Sequence, residues 1–141
     1  MKREDFIKTS CSICLAVTAE LIFGSLLSSC ASISVYETSI HNKRINVPLS
    51  LFDKQNFQII RAGNLKYDIV LEKEKDSNYL AFLLKCTHAS TPLNFTGREF
   101  VCPLHGSTFN EYGNVERGPA TLPLKKYETM VTKDSIVIFI S

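Results

Sequence analysis

The chain has 141 residues, room for one domain and little else, with 16 basic and 14 acidic residues and a net charge of +2. Both signs are interspersed, so there is no basic stripe of the kind that binds nucleic acid. Of five cysteines, Cys11, Cys14 and Cys30 lie near the N-terminus and only Cys86 and Cys102 lie in the body. That distribution points to metal binding rather than a disulfide framework.

Taken from its start, the chain opens with Lys2, Arg3 and Lys8 and then runs mostly apolar from Ile13 to Leu27. The run is short for a spanning helix, and Glu20 would be costly at mid-membrane. It ends in Leu27-Ser28-Ser29-Cys30, which resembles the bacterial lipobox. The resemblance implies that residues 1–29 are a signal peptide and that Cys30 takes the lipid. The mature protein would then be exported and anchored in the cell envelope, on the periplasmic side of a bacterial membrane. An uncleaved signal anchor is the alternative. Cys11 and Cys14 form a C-x-x-C spacing but fall in the segment to be discarded. Residues 30–44 are polar and unpatterned, as expected of a tether, with His41 a solvated residue in it.

Residues 45–141 read as short strands and turns without a helix. Ile45 to Phe52 is a first strand, confined by Pro48 to an edge or a bulge. Phe57 to Ile60 and Tyr67 to Leu71 follow, with a turn at Gly63-Asn64. The alternating charges of Glu72 to Asp76 suit the solvated tip of a hairpin that returns through Tyr79 to Leu84. A turn at Asn94 to Arg98 precedes Phe100-Val101, and Asn110 to Asn114 is another tight turn. Leu124 to Thr132 and Ser135 to Ile140 close the chain as a hairpin. The fold class is all-β, a small antiparallel sandwich or barrel. Tyr112 and Tyr127 carry hydroxyls that could serve a site, though strand and turn contexts favour packing.

Two of these strands run into Cys/His pairs. Cys86-Thr87-His88 is followed, after thirteen residues, by Cys102-Pro103-Leu104-His105. Two cysteines and two histidines can hold one zinc ion tetrahedrally. Zinc fingers, however, usually pair like with like, whereas each pair here is mixed. Ligands at the mouths of strands are held to the accuracy that metal binding needs.

With Gly106-Ser107-Thr108-Phe109-Asn110 and Gly118-Pro119-Ala120 added, the pattern resembles the Rieske family, which carries a [2Fe–2S] cluster. The resemblance spans about residues 45–141 and is strongest over 86–120. It implies a cluster-binding subdomain of two loops, with Cys86 and Cys102 on the inner iron and His88 and His105 on the exposed outer iron. It implies that Gly106 lets the backbone pass near the cluster, that Ser107 donates toward a sulfide, and that Pro119 belongs to a covering loop. Respiratory members add a disulfide between the loops; the matching positions are Thr91 and Leu104, which cannot form one. Phe109 stands where they carry a tyrosine, and Ala89 where quinol-oxidising forms carry leucine. Together these features imply a one-electron carrier with redox protein partners, a membrane contact through lipid on Cys30, no nucleic-acid partner and no catalytic residue of its own. The alternatives are an iron–sulfur subunit of a larger oxidoreductase, or the ferredoxin of an oxygenase system.

Overall fold

A computed structural model describes residues 33–141; the segment read as a signal peptide, with Cys11, Cys14 and Cys30, lies outside the described residues. Eleven strands follow in order: β1 (Val35–Thr38), β2 (Arg44–Pro48), β3 (Phe57–Ala62), β4 (Ile69–Lys73), β5 (Tyr79–Leu83), β6 (Asn94–Phe95), β7 (Phe100–Val101), β8 (Thr108–Phe109), β9 (Val115–Arg117), β10 (Lys126–Val131) and β11 (Ser135–Phe139). The only helical elements among these residues are two short 3-10 turns, Leu49–Phe52 and Lys75–Ser77. No helix among the described residues is long and apolar enough to cross a membrane.

Seven strands form one sheet in the order β1-β3-β4-β5-β10-β11-β2. Its two outermost strands, β1 and β2, are consecutive in the chain, joined by residues 39–43. That link reaches roughly 21 Å at most, whereas a flat sheet of this order is about 29 Å wide. The sheet therefore curls until its edges approach, giving a nearly closed barrel. The remaining strands make a small antiparallel sheet, β6-β7-β8-β9, mounted on the outside.

The structure corrects several sequence expectations. The segment read as a polar tether contributes β1, which pairs parallel to β3 with Val35 opposite Ile59. The first strand stops at Pro48, on the edge strand β2, and Leu49–Phe52 turns away as a 3-10 segment. Asn94 and Phe95 belong to a strand, so the turn before Phe100 is tighter than expected. The hairpins β4–β5 and β10–β11 form where the turn residues place them.

Two cores explain why β3, β4 and β5 lack clean alternation. Ile45, Val47, Ile60, Ile69, Leu71, Ala81, Ile136 and Ile138 fill the barrel, two apart along their strands as a pleated strand requires. The intervening Ile59, Val70 and Phe82 point outward, yet they too are buried, beneath the small sheet. Strands covered on both faces read as continuous apolar runs, as in Ile69-Val70-Leu71. A chain of aromatic contacts joins the two bodies: Phe57 to Phe95 at 5.0 Å, Phe95 to Phe100 at 5.0 Å and Phe100 to Phe82 at 5.6 Å. Each is worth about 1 kcal/mol beyond the area it buries. Gly113, at φ +77°, lets the β8–β9 turn sit against the barrel; a Cβ there would lie 2.8 Å from the Phe82 ring.

Glu72 departs from the solvated-tip reading, because it lies within β4 and is half-buried. Burial, with a smaller push from Glu111, raises its carboxyl from the ordinary 4.5 to about 7. The folded chain then holds that proton more tightly than the unfolded chain. Its contribution to stability is complete below pH 4.5 and is lost as pH rises through about 7. Glu72→Gln is expected to flatten this dependence, seen as urea midpoints that differ less between about pH 5 and pH 8 than in the parent.

Candidate metal centre

β5 ends at Leu83, and the chain enters its first site loop at Cys86; β7 ends at Val101, and Cys102 opens the second. The two loops have the same backbone design sixteen residues apart. In the first, the Cys86 N–H donates to the Thr91 carbonyl at 2.8 Å and the Ser90 N–H to the Cys86 carbonyl at 3.0 Å. In the second, the Cys102 N–H donates to the Ser107 carbonyl at 2.8 Å and the Gly106 N–H to the Cys102 carbonyl at 3.0 Å. The fifth residue of each loop has a left-handed backbone, φ +51° at Ser90 and +74° at Gly106. At Gly106 a Cβ would meet no protein atom within 4 Å, so among protein contacts φ, and not crowding, is what asks for glycine.

This repeat gives the four candidate side chains distinct environments. Cys86 and Cys102 are 0% and 1% exposed, inside the outer core with Phe100, Phe109 and Ala120. His88, third in its loop, and His105, fourth in its loop, are less buried, with ring centroids 5.2 Å apart and planes at 72°. Among the described residues no three Cys, His, Asp or Glu side chains converge on the position of a single metal ion. The arrangement is a sulfur pair beneath and an imidazole pair above, which suits a centre with two metal atoms better than one tetrahedral zinc.

The thiol chemistry agrees. Burial works to raise the Cys86 thiol, but hydrogen bonds from the Ala89 and His88 backbone and from the Cys102 and Ser107 side chains outweigh it. The net direction is down, toward the thiolate that binds metal. Cys86 and Cys102 are the only cysteines in the described residues, and both are free thiols. The positions of Thr91 and Leu104 thus leave the loops without a covalent link.

A third loop, residues 118–123, lies over the first two. Ser107, fully buried, accepts a hydrogen bond from the Ala120 N–H at 3.0 Å, and the Thr87 hydroxyl donates to the Leu122 carbonyl at 2.7 Å. One residue from each site loop therefore holds the loop that contains Pro119, whose peptide bond to Gly118 is cis. Sequence reading missed Thr87, although its place between Cys86 and His88 was a usable signal. It also missed Tyr67, whose hydroxyl donates to the Ser90 carbonyl at 2.6 Å. The tyrosines singled out from sequence do not serve the site: Tyr127 is buried in the barrel core and Tyr112 is 55% exposed in the β8–β9 turn. His41 is exposed, bonded to Ser39.

Comparisons agree with this geometry. Residues 42–128 match the family model of the Rieske [2Fe-2S] domain. Over 79 residues the chain is 46% identical to cytochrome b6-f complex iron-sulfur subunit 2 of Nostoc sp., and 37% identical to subunit 1 of Synechocystis sp.. Each match covers 55% of this chain and 44% of the relative, so the chain spans less than half the length of the curated relatives it matches. The crystal structure of the cyanobacterial plasma membrane Rieske protein PetC3 from Synechocystis PCC 6803 superposes with a TM-score of 0.57 at 26% identity. That superposition covers 67% of this chain and 97% of that one. The ferredoxin of carbazole 1,9a-dioxygenase from Nocardioides aromaticivorans shares the fold at 20% identity, TM-score 0.52, covering 70% of this chain and 99% of that one.

Proposed function

Because the chain belongs to the Rieske [2Fe–2S] family, we propose that Cys86, Cys102, His88 and His105 hold one such cluster and that the protein carries single electrons on it. When bound, the cluster supplies one-electron chemistry at a potential raised by its histidine ligands. The single observation that carries the assignment is the pair of matching loops, with buried cysteines below and more accessible histidines above. The buried thiols exclude water from the inner half of the site. The two imidazole edges give electrons a short path to solvent. Ser107 sets the position of the covering loop and donates a hydrogen bond to Cys86. The experiment is iron and sulfide analysis with visible and EPR spectra of protein purified from its membranes. A colourless, zinc-loaded product overturns the proposal.

We place the protein at the outer face of a bacterial membrane, anchored by lipid on Cys30, on the strength of the Leu27-Ser28-Ser29-Cys30 sequence and the likeness to the plasma membrane Rieske protein PetC3. Its partners are redox proteins. A subunit role in a larger oxidoreductase is the second reading, favoured by the b6-f relatives; co-purification with a large subunit from solubilised membranes decides it.

The lack of a loop disulfide and of a hydroxyl at Phe109 supports a low potential within the family range of roughly −150 to +300 mV. Phe109 is fully buried in the core that holds the two cysteines. Phe109→Tyr is expected to raise the potential by tens of millivolts, since a new donor to a thiolate stabilises the more negative, reduced state. Protein-film voltammetry of the two forms checks the sign.

A further inference from the structure

The two site loops meet one demand in different ways. The fifth residue of each has a left-handed backbone, and the second loop supplies it with Gly106, at φ +74°. The first loop has Ser90 there, at φ +51°, where a Cβ crowds the carbonyl that follows. A loop built on serine at that position gains by relaxing to an ordinary φ. It needs a restraint that the glycine loop does not.

Tyr67, two residues before β4, supplies one from the barrel. Its hydroxyl donates to the Ser90 carbonyl at 2.6 Å while the Ser90 N–H donates to the Cys86 carbonyl at 3.0 Å. Ser90 is thus held through both of its peptide groups. The tyrosine is itself fixed. Asp68, beside it, accepts two bonds from Arg61, at 3.0 and 2.7 Å, and its carbonyl accepts from the Leu84 N–H at 2.9 Å. The ammonium groups of Lys66 and Lys85 lie 5.5 and 5.7 Å from the centre of the Tyr67 ring, within cation–π range. A group mounted on a sheet places a loop more firmly than another loop does.

What the restraint protects is the set of donors around Cys86. Its sulfur receives the N–H groups of His88 and Ala89, which lie between Cys86 and Ser90. They aim at it only while the turn from Cys86 to Ser90 keeps its shape. Hydrogen bonds to a cluster sulfur stabilise the reduced state, whose negative charge is greater. Water can satisfy a Ser90 carbonyl that has lost its tyrosine, but it does not hold the carbonyl in place.

We infer that Tyr67 is a positioning residue for the metal centre: it locks the left-handed turn at Ser90 and so keeps the His88 and Ala89 N–H groups on the Cys86 sulfur. This rests on ligation of a cluster by Cys86 and His88. Tyr67 acts through Ser90, and its effect is on the potential, by geometry.

The test compares full-length, cluster-loaded protein purified from membranes as the parent, Tyr67→Phe, Ser90→Gly and the double variant. Tyr67→Phe keeps the ring, and with it both ammonium contacts, so only the hydroxyl bond is removed. Protein-film voltammetry and urea unfolding read each form. In Tyr67→Phe the equilibrium constant for reduction should fall about threefold, which is about 30 mV at about 59 mV per tenfold, with the urea midpoint unchanged. Ser90→Gly should keep the parent potential, and the double variant should recover most of the loss, since glycine holds φ near +50° without a tie. An unchanged potential in Tyr67→Phe overturns the inference, as does an equal fall in the double variant. A Tyr67→Phe chain that does not fold overturns it too, because the hydroxyl would then support the barrel and not the loop. A parent without the Rieske spectrum overturns the cluster assignment instead, and that spectrum is recorded before any variant is compared.

Discussion

Cys102→Ser is expected to yield a colourless protein whose iron falls from about two atoms per chain to none, while its barrel stays folded. A serine hydroxyl does not replace a thiolate on iron, and the site has no third cysteine to substitute. The loss extends beyond the metal. Cys102 is packed among Phe100, Phe109 and Ala120, so the variant also buries a hydroxyl among apolar groups, a cost of about 1–3 kcal/mol. Metal binding contributes to folding where the site is built only in the folded state. The small sheet and its loops should therefore lose hydrogen-exchange protection, whereas β3, β4 and β5, which also face the separate barrel core, keep theirs. His105→Ala is the necessary contrast. Its side chain is exposed and supports no core, so the variant should lose the Rieske spectrum yet match the metal-free parent in stability. A coloured Cys102→Ser protein would sink the ligand assignment.

Ser107→Ala is expected to lower the reduction potential and the melting temperature together. The Ser107 hydroxyl has two uses: it accepts from the Ala120 N–H and donates to Cys86. A donor to a cluster thiolate stabilises the reduced form, in which negative charge is greater, so its removal moves the potential down. Each ~1.4 kcal/mol of lost preference corresponds to about 60 mV for one electron, and a hydrogen bond to a charged group is worth roughly that. The buried Ala120 N–H, within the covering loop, is left unpaired, for about 1–3 kcal/mol of stability. Voltammetry and thermal melts of the same preparation read both effects. A fall in melting temperature at unchanged potential would reduce Ser107 to a structural peg.

Fold and site were legible in sequence wherever one cause dominated. The hairpins β4–β5 and β10–β11 are written in turn residues between apolar runs, and Pro48 marks an edge because it lacks a donor. Cys86, His88, Cys102 and His105 come together because β5 of the barrel delivers one pair and β7 of the small sheet packed on it delivers the other. The features that escaped were set by tertiary context. β6, β8 and β9 have two or three residues, too few for a periodicity to register. β1 reads as polar linker because an edge strand with one exposed face needs little apolar content. Glu72 sits in a charged run yet is half-buried, since the subdomain folds against it. Tyr67 reaches Ser90 from 23 residues away, a contact without local signature.

The three loops at the site, residues 86–91, 102–107 and 118–123, contain no acidic or basic side chain, and this has a kinetic consequence. A partner seated on these three loops meets no charged side chain from them, so ion pairs formed at that contact contribute little, and a contact without them associates at roughly 10⁵–10⁷ M⁻¹s⁻¹. Ionic strength, which slows charge-guided electron carriers by screening, has little to act on. A carrier recognised by shape at these loops keeps its pace when the surrounding salinity changes.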